Sequence, residues 1–264
     1  MRQIFPHIHR QLTAKLTGPI TADTPGADEL VAALAEFYAY PGGTGDRRPW
    51  VRANMIASVD GAISVAGRSG GLSGNGDRLV FTVLRGLADV VLVGAGTART
   101  ERYGLAKPSW PQLRGGRPAT PPIAVVTKAL SLDLDSQLVR GDPSLPRTIV
   151  LTTTHAPADR VAAAARTADV FVVGEGHVSG HAIIEKLAEL GHRKILTEGG
   201  PTLLGELTSA GLLDELCVTI SPLIEGGQAG RMVSSRGSLT AGVELAALLE
   251  DDGFLLGRYV RSAR

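Results

Sequence analysis

A carboxylate, two glycines and a proline stand in succession at Glu198-Gly199-Gly200-Pro201, followed by Thr202-Leu203-Leu204. The apolar run at 194–197 predicts a strand before them, and the residues after them predict a helix. Two glycines between a strand and a helix let backbone approach a ligand where a Cβ would clash. Pro201 suits a first helical turn, whose free N–H groups and positive dipole end favour a phosphate. Glu198 at the strand end adds an acceptor for the N–H donors of a polar ring.

Other segments carry weaker chemistry. Gly94-Ala95-Gly96-Thr97 follows the apolar run Val90-Val91-Leu92-Val93. Arg99 stands where the third glycine of the dinucleotide fingerprint belongs, so the segment reads as a nucleotide-binding turn or as a plain tight turn. Gly174-Glu175-Gly176 also lacks the full spacing. Asp60 before Gly61 reads as a turn residue, or as a carboxylate at a strand mouth that hydrogen-bonds a heterocycle. Gly67-Arg68-Ser69-Gly70-Gly71 formally matches the Gly-x-Ser-x-Gly elbow of hydrolases. That elbow needs a strand before it and a helix directly after it; here more glycine and serine follow, which predicts a flexible loop. His177 and His181 have i, i+4 spacing, but without a glutamate between them in the zincin pattern or an evident third ligand they read as surface or capping histidines. No metal site is expected.

The elements that must position these residues alternate. Residues 1–26 show no clean period and predict an irregular arm, and 27–40 carries apolar residues at helical spacing. Residues 41–46 form a breaker cluster that predicts a linker. Strands are expected at 50–58, 90–93, 123–126, 148–151, 170–173, 194–197 and 214–220. Helices are expected at 79–87, with Asn75 or Asp77 as cap, and at 156–167 and 179–190. Residues 254–260 suit a strand or hairpin arm, and the Pro/Gly-rich stretch 107–122 predicts an exposed excursion. Strands alternating with helices imply a mainly parallel sheet covered on both faces, a three-layer αβα fold. Ligands in such sheets bind beyond the carboxyl ends of the strands, where the motifs above fall.

Composition narrows the class. The chain has 264 residues, 44% of them hydrophobic, enough for one large α/β domain or two small ones. A net charge of +1 and an aromatic content of 4% give no electrostatic or stacking case for nucleic acid or a membrane surface. The single cysteine, Cys217, lies in an apolar run and excludes an internal disulfide or a multi-cysteine zinc site. Without a signal peptide or an apolar run near membrane-spanning length, a cytoplasmic location is expected.

Three stretches, in this order and separation, resemble one family: Asn54-Met55-Ile56-Ala57-Ser58-Val59-Asp60-Gly61, the segment from Leu84-Arg85-Gly86 through Gly94-Ala95-Gly96-Thr97, and Glu198-Gly199-Gly200-Pro201-Thr202-Leu203 continuing to Gly211-Leu212-Leu213-Asp214-Glu215-Leu216. The family is the reductase domain of the riboflavin-pathway uracil reductases, in the dihydrofolate reductase superfamily. The resemblance covers roughly residues 50–260. It divides the chain into an N-terminal arm and helix (1–45) and a reductase domain (46–264) with a dihydrofolate reductase-like fold.

The resemblance implies an NADPH-dependent reductase that converts the ribosyl group of a phosphoribosylamino-uracil to ribityl. Dihydrofolate or another pterin is the alternative substrate, and a non-catalytic nucleotide-binding regulator is the alternative class. Cofactor contacts are implied at Ile56, Gly94, Gly96, Thr97, Glu101, Thr127, Lys128, Gly199, Gly200, Pro201, Thr202, Leu203 and Leu204, with Thr127 and Lys128 near the adenosine 2′-phosphate. Substrate contacts are implied at Asp60, Ser69, Arg85, Leu105 and Glu198, with Asp60 and Glu198 as the catalytic positions. A homodimer is implied, with the C-terminal strand as a candidate interface. The zinc deaminase domain that often precedes the reductase is not expected in a chain of this length with one cysteine.

One segment departs from the family. After Thr97 the family reads Asp-Asp/Asn-Pro-x-Leu-Thr-x-Arg, and this chain reads Glu101-Arg102-Tyr103-Gly104-Leu105-Ala106-Lys107-Pro108. Tyr103 replaces the proline, and Pro108 the arginine that helps bind substrate phosphate. Either Lys107 or Arg102 would then supply the cation or the loop would accept an unphosphorylated ring, and Tyr103 would suit stacking on a pterin.

Overall fold

A computed structural model describes the chain except residues 6–17, 19, 22, 43–47, 109 and 263–264. Most of the expected arm and linker therefore lies outside the described residues. The first half contains β1 (Arg2–Phe5), α1 (Ala27–Phe37), β2 (Trp50–Ser58), α2 (Asn75–Leu87), β3 (Val90–Gly94), α3 (Ala95–Thr100), β4 (Ile123–Val126) and α4 (Gln137–Arg140). The second contains β5 (Ile149–Thr153), α5 (Ala158–Ala164), β6 (Asp169–Gly174), α6 (Gly180–Glu189), β7 (Lys194–Thr197), α7 (Pro201–Ser209), β8 (Glu215–Ser221), β9 (Val243–Asp251) and β10 (Phe254–Arg261).

The strands form one sheet in the order β1-β9-β10-β8-β2-β7-β3-β4-β5-β6. From β8 to β6 all pairings are parallel, whereas β1, β9 and β10 add antiparallel. The central strands are buried on both faces, and period-2 alternation sorts their side chains into two cores. Val91, Val93, Ile123, Val125 and Val150 pack with α1, α2 and α5, while Val90, Leu92, Ala124, Leu151 and Ile195 pack with α6 and α7. This is the expected three-layer architecture.

Two local expectations are corrected, one is qualified, and one strand was not foreseen. The irregular arm contains strand β1, which pairs with β9, and α1 shares the core of α2, so residues 1–45 include parts of the main body. β9 itself has no strand signal. Its sequence, Val-Glu-Leu-Ala-Ala-Leu-Leu-Glu-Asp, is rich in helix formers, and pairing with β10 and β1 overrides that preference. Helix α2 starts at Asn75 with Gly74 as N-cap, and Asp77 instead accepts the Ser73 hydroxyl at 2.5 Å. Finally, 107–122 exposes much of its length, as expected, but it is anchored to the body of the fold. Trp110 and Leu113 are buried, and Arg114 Nη1 donates to the carbonyls of Gly86 (2.9 Å) and Ala88 (2.6 Å). Arg117 Nη1 donates to Leu87 and Ala88, both at 2.9 Å. Two guanidinium groups thereby satisfy the last carbonyls of α2.

The parallel and antiparallel halves of the sheet are joined by buried charge. Arg52 on β2 sits opposite Glu215 on β8 in the register. Both side chains are 0% exposed, with Arg52 Nε 2.7 Å from Glu215 Oε1. Arg258 Nε on β10 reaches the same oxygen at 2.8 Å, Trp50 Nε1 donates to Oε2 at 3.0 Å, and Arg258 Nη1 donates to the Phe37 carbonyl. Arg52 also stacks on the Tyr40 ring, with Cζ 4.0 Å from its centroid. Removing one partner of such a pair strands the other charge away from water. Arg52→Ala is expected to lower unfolding free energy by about 3–5 kcal/mol in urea titration. Arg2→Ala, which removes the solvent-exposed contact with Glu250, is expected to cost less than about 1 kcal/mol.

Candidate active site

The site lies where β7 and β3 meet. The chain leaves β3 through α3 toward β4 and leaves β7 through α7 toward β8, on the other side of the sheet order. Neighbouring parallel strands whose connections depart in opposite directions open a crevice at their carboxyl ends. Two backbone hydrogen bonds hold its floor: Glu198 N–H to Leu92 O at 3.0 Å and Gly94 N–H to Gly199 O at 2.8 Å. Gly199 has φ +82°, the left-handed region that glycine adopts without Cβ strain, and the Gly199–Gly200 peptide is cis. A Cβ at Gly200 would lie 2.3 Å from Thr97 Oγ1, so a side chain there would displace the Thr97 hydroxyl. A Cβ at Gly96 would meet nothing within 4 Å, so its bareness leaves room.

Two adjoining cavities open from this floor. The larger, about 660 Å³, is lined by Asn54, Met55 and Ile56 of β2, Ser69 and Ser73 of the following loop, and Asp77, Arg78 and Phe81 of α2. Gly94, Gly96, Thr97, Glu101, Tyr103, Glu198 and residues 200–203 also line it, with Gly230 from the β8–β9 connection. The smaller, about 310 Å³, is lined by Arg99, Thr127, Lys128, Ser131, His177 and Glu206, among others. Gly94, Gly96, Thr202 and Leu203 line both. The N-terminus of α7 has no side-chain cap, so its first N–H groups are free for a ligand.

Glu198 is the best-anchored group in the larger cavity. Its side chain is only 3% exposed, and Arg85 grips it with two parallel bonds, Nε to Oε1 and Nη2 to Oε2, both at 2.7 Å. Such a fork is the strong form of a guanidinium–carboxylate contact. The Tyr103 hydroxyl donates to Oε2 at 2.5 Å. Burial, and then the Glu198 charge, raise the Tyr103 pKa well above the ordinary phenol value, so it stays a donor. Arg85 in turn stacks on Phe81 at 4.3 Å and lies 5.6 Å from the Tyr103 centroid. Elsewhere in the cavity, burial pushes the Asp77 carboxyl up against the opposing hydrogen bonds from Ser73 and Thr219. Glu101 accepts the Ser69 N–H at 2.9 Å.

Most sequence-predicted cofactor positions come together here: Ile56, Gly94, Gly96, Thr97, Glu101, Gly200, Pro201, Thr202 and Leu203 in the larger cavity, and Thr127 and Lys128 in the smaller. Gly199 shapes the turn without lining a cavity, and Leu204 is fully buried behind it in the core. Of the substrate positions, Ser69 and Glu198 line the larger cavity, whereas Leu105, half-buried, lines neither. Arg85 is engaged with Glu198 instead of lining the cavity.

Asp60 departs furthest from its predicted role. Its exposed carboxylate accepts the Ser58 hydroxyl and the N–H groups of Glu225 (3.1 Å) and Gly226 (2.8 Å), clasping the β8–β9 connection to the end of β2. His177 is exposed, as expected of a surface histidine, but sits on the smaller cavity 3.4 Å from Glu206 Oε2. Arg78, Phe81 and Gly230 had no local signal. An arginine on an amphipathic helix reads as solvent-facing, and Gly230 reaches the cavity only through the tertiary path of its loop.

The sequence profile of the RibD C-terminal domain matches residues 49–253. The chain belongs to that family. It is 31% identical over 188 residues to a 2,5-diamino-6-ribosylamino-4(3H)-pyrimidinone 5′-phosphate reductase of Methanothermobacter thermautotrophicus, covering 70% of this chain and 82% of that one. The protein of the same name from Archaeoglobus fulgidus is 32% identical, covering 69% and 84%. A pyrimidine reductase-like protein of Corynebacterium diphtheriae superposes with a TM-score of 0.77 at 27% identity, covering 88% of this chain and 99% of that one. The RibD-like fold expected from the dihydrofolate reductase superfamily and the oxidoreductase class both follow.

The Asp60 clasp has a definite pH dependence. The Ser58 hydroxyl, followed by the Gly226 and Glu225 N–H groups, holds its pKa down at about 2. A folded pKa below the unfolded value of about 4 means that the clasp contributes fully above pH 4 and is lost as pH falls toward 2. Hydrogen exchange at the Glu225 and Gly226 amides is expected to lose protection across that window. In Asp60→Asn the loss should be present already at neutral pH.

Proposed function

We propose that this reductase uses NADPH to convert the ribosylamino group of a phosphorylated pyrimidine to ribitylamino in riboflavin biosynthesis. The observation that carries the reading is the pair of cavities joined along Gly94, Gly96, Thr202 and Leu203, with the gripped carboxylate Glu198 in the larger one. The residues fit the cofactor. The bare Gly96, the uncapped α7 N-terminus and the cations Arg99 and Lys128 provide room and charge for a phosphorylated dinucleotide. NADPH supplies the hydride, and one added proton completes the ribityl product. The protein's part is to orient the two reactants and exclude water. Glu198, fixed by Arg85 and Tyr103, is a preorganised acceptor for ring N–H donors, and the polar groups of Asn54 and Ser69 add to that end of the cavity.

The relatives are named for the 2,5-diamino-pyrimidinone 5′-phosphate, and we take that compound, rather than the deaminated uracil, as the substrate. A metabolic reductase of this kind belongs in the cytoplasm, and among the described residues no helix is long and apolar enough to cross a membrane.

We further propose a homodimer. Leu216, Val218 and Ile220 of β8, with Leu255 and Tyr259 of β10, alternate away from the buried face holding Cys217 and Leu256, and among the described residues no helix shares a core cluster with them. β10 lies between β8 and β9, so the C-terminal strand would contribute this face and not an edge. Leu255 (38%) and Ile224 (82%) are exposed beside it.

NADPH oxidation followed by absorbance should appear with the diamino-pyrimidinone phosphate and be slower with the uracil analogue and with dihydrofolate. Oxidation with dihydrofolate alone would sink the substrate assignment. Lys128→Ala should raise KM for NADPH on the order of tenfold while leaving KM for NADH nearly unchanged. Sedimentation across dilution should give twice the chain mass; monomer mass throughout would rule the dimer out.

A further inference from the structure

The family's phosphate-binding arginine is replaced by Pro108, and neither sequence candidate reaches the cavity. Lys107 and Arg102 are exposed and line neither cavity, and Arg102 has φ +54°, turning the chain so that the Tyr103 N–H returns to Ala98 O at 2.8 Å. Arg85 does not fill the gap, since its charge is balanced by both oxygens of Glu198. A phosphate dianion would also enter a cavity that already holds Asp77, Glu101 and Glu198.

One cation remains. Among the described residues lining the larger cavity, Arg78 alone is positively charged. It is exposed, and no carboxylate among the described residues forms an ion pair with it. The neighbouring Asp77 is turned inward onto the Ser73 hydroxyl. Arg78 belongs to the first turn of α2, one helical stripe with Phe81 and Arg85 at i+3 and i+7. The stripe runs from the anchored Glu198 to the hydroxyls of Ser69 and Ser73, also on the cavity wall.

We propose that Arg78 recognises the 5′-phosphate of the substrate, replacing the arginine that the family carries after α3. This rests on the reductase reading above and adds to it the residue that reads the phosphoester. An ion pair formed only by the phosphorylated substrate makes Arg78 a specificity determinant.

The test is steady-state kinetics with the 5′-phosphorylated pyrimidine and its dephosphorylated counterpart, on the wild type, Arg78→Gln, Arg78→Lys, Arg102→Gln and Lys107→Gln. Arg78→Gln should raise KM for the phosphorylated compound tenfold or more, leave kcat within about twofold, and leave the dephosphorylated compound unaffected. Competitive inhibition by inorganic phosphate should weaken in parallel, and Arg78→Lys should recover part of the loss. Arg102→Gln and Lys107→Gln should match the wild type. An active wild type whose KM is unchanged by Arg78→Gln, or a loss equal for both compounds, would overturn the assignment of Arg78 alone. A wild type that reduces neither compound would overturn the reductase reading and this inference with it.

Discussion

The site depends on one close approach, that of the turn after β7 to the turn after β3. Gly199 O accepts the Gly94 N–H, and Gly200 sits where any side chain would strike Thr97. This contact holds together two turns from distant parts of the chain whose connections then diverge to opposite faces of the sheet. The crevice exists because the turns touch at their base and separate above it. The glycines of these motifs therefore meet different physical needs. At Gly200 the missing side chain is required by packing between protein segments, at Gly199 by the backbone angle, and at Gly96 by neither, since a Cβ there would face open space.

Placing Glu198 at that base has an energetic consequence. A carboxylate with 3% of its side chain exposed is costly to desolvate unless it is paired and hydrogen-bonded. Arg85 and Tyr103 meet that need, and each depends on further structure. Arg85 lies in the last turn of α2, whose terminal carbonyls are held by Arg114 and Arg117, while Trp110 and Leu113 fix that segment in the core. Tyr103 is brought back by the left-handed turn at Arg102. The stretch 101–117, which looks like loop in the sequence, thus sets the orientation of the central carboxylate without supplying a strand or a long helix.

Legibility followed the range of the interactions. β2 and β7 matched their predicted spans, because short apolar runs between polar breaks reflect burial within the segment itself. β9 was invisible because its composition favours helix and only its partners make it a strand. α3 has six residues, too few for a period to show. At the site, the glycine turns and Glu198 were legible as a cluster because each follows its strand directly in sequence, and the fold brings them to one cavity. Asp60 was ambiguous for a related reason: an Asp-Gly pair at a strand end has the same local signature whether it faces a ligand or accepts two backbone N–H groups of a distant loop, the contacts it makes here. The Pro108 departure was legible, but what compensates for it was not, since Arg78 joins the cavity through the packing of α2 against the sheet.

The charge layout gives the site a direction. The smaller cavity is lined by Arg99, Lys128 and His177, with one acid, Glu206, already engaged with the Gly180 N–H and facing His177. Among the described residues the larger cavity has three carboxylates and a single cation at its wall. The strip between them, Gly94, Gly96, Thr202 and Leu203, carries no formal charge but receives the positive end of the α7 dipole. An elongated ligand with a phosphate-rich end and a neutral ring gains on the cationic side and is repelled from the acidic one, so only one of its two orientations across the strip is favourable. A second reactant rich in N–H donors is favoured on the acidic side for the converse reason. The same distribution that orders the two ligands also brings their neutral ends together over the glycine strip, where the backbone permits the closest approach.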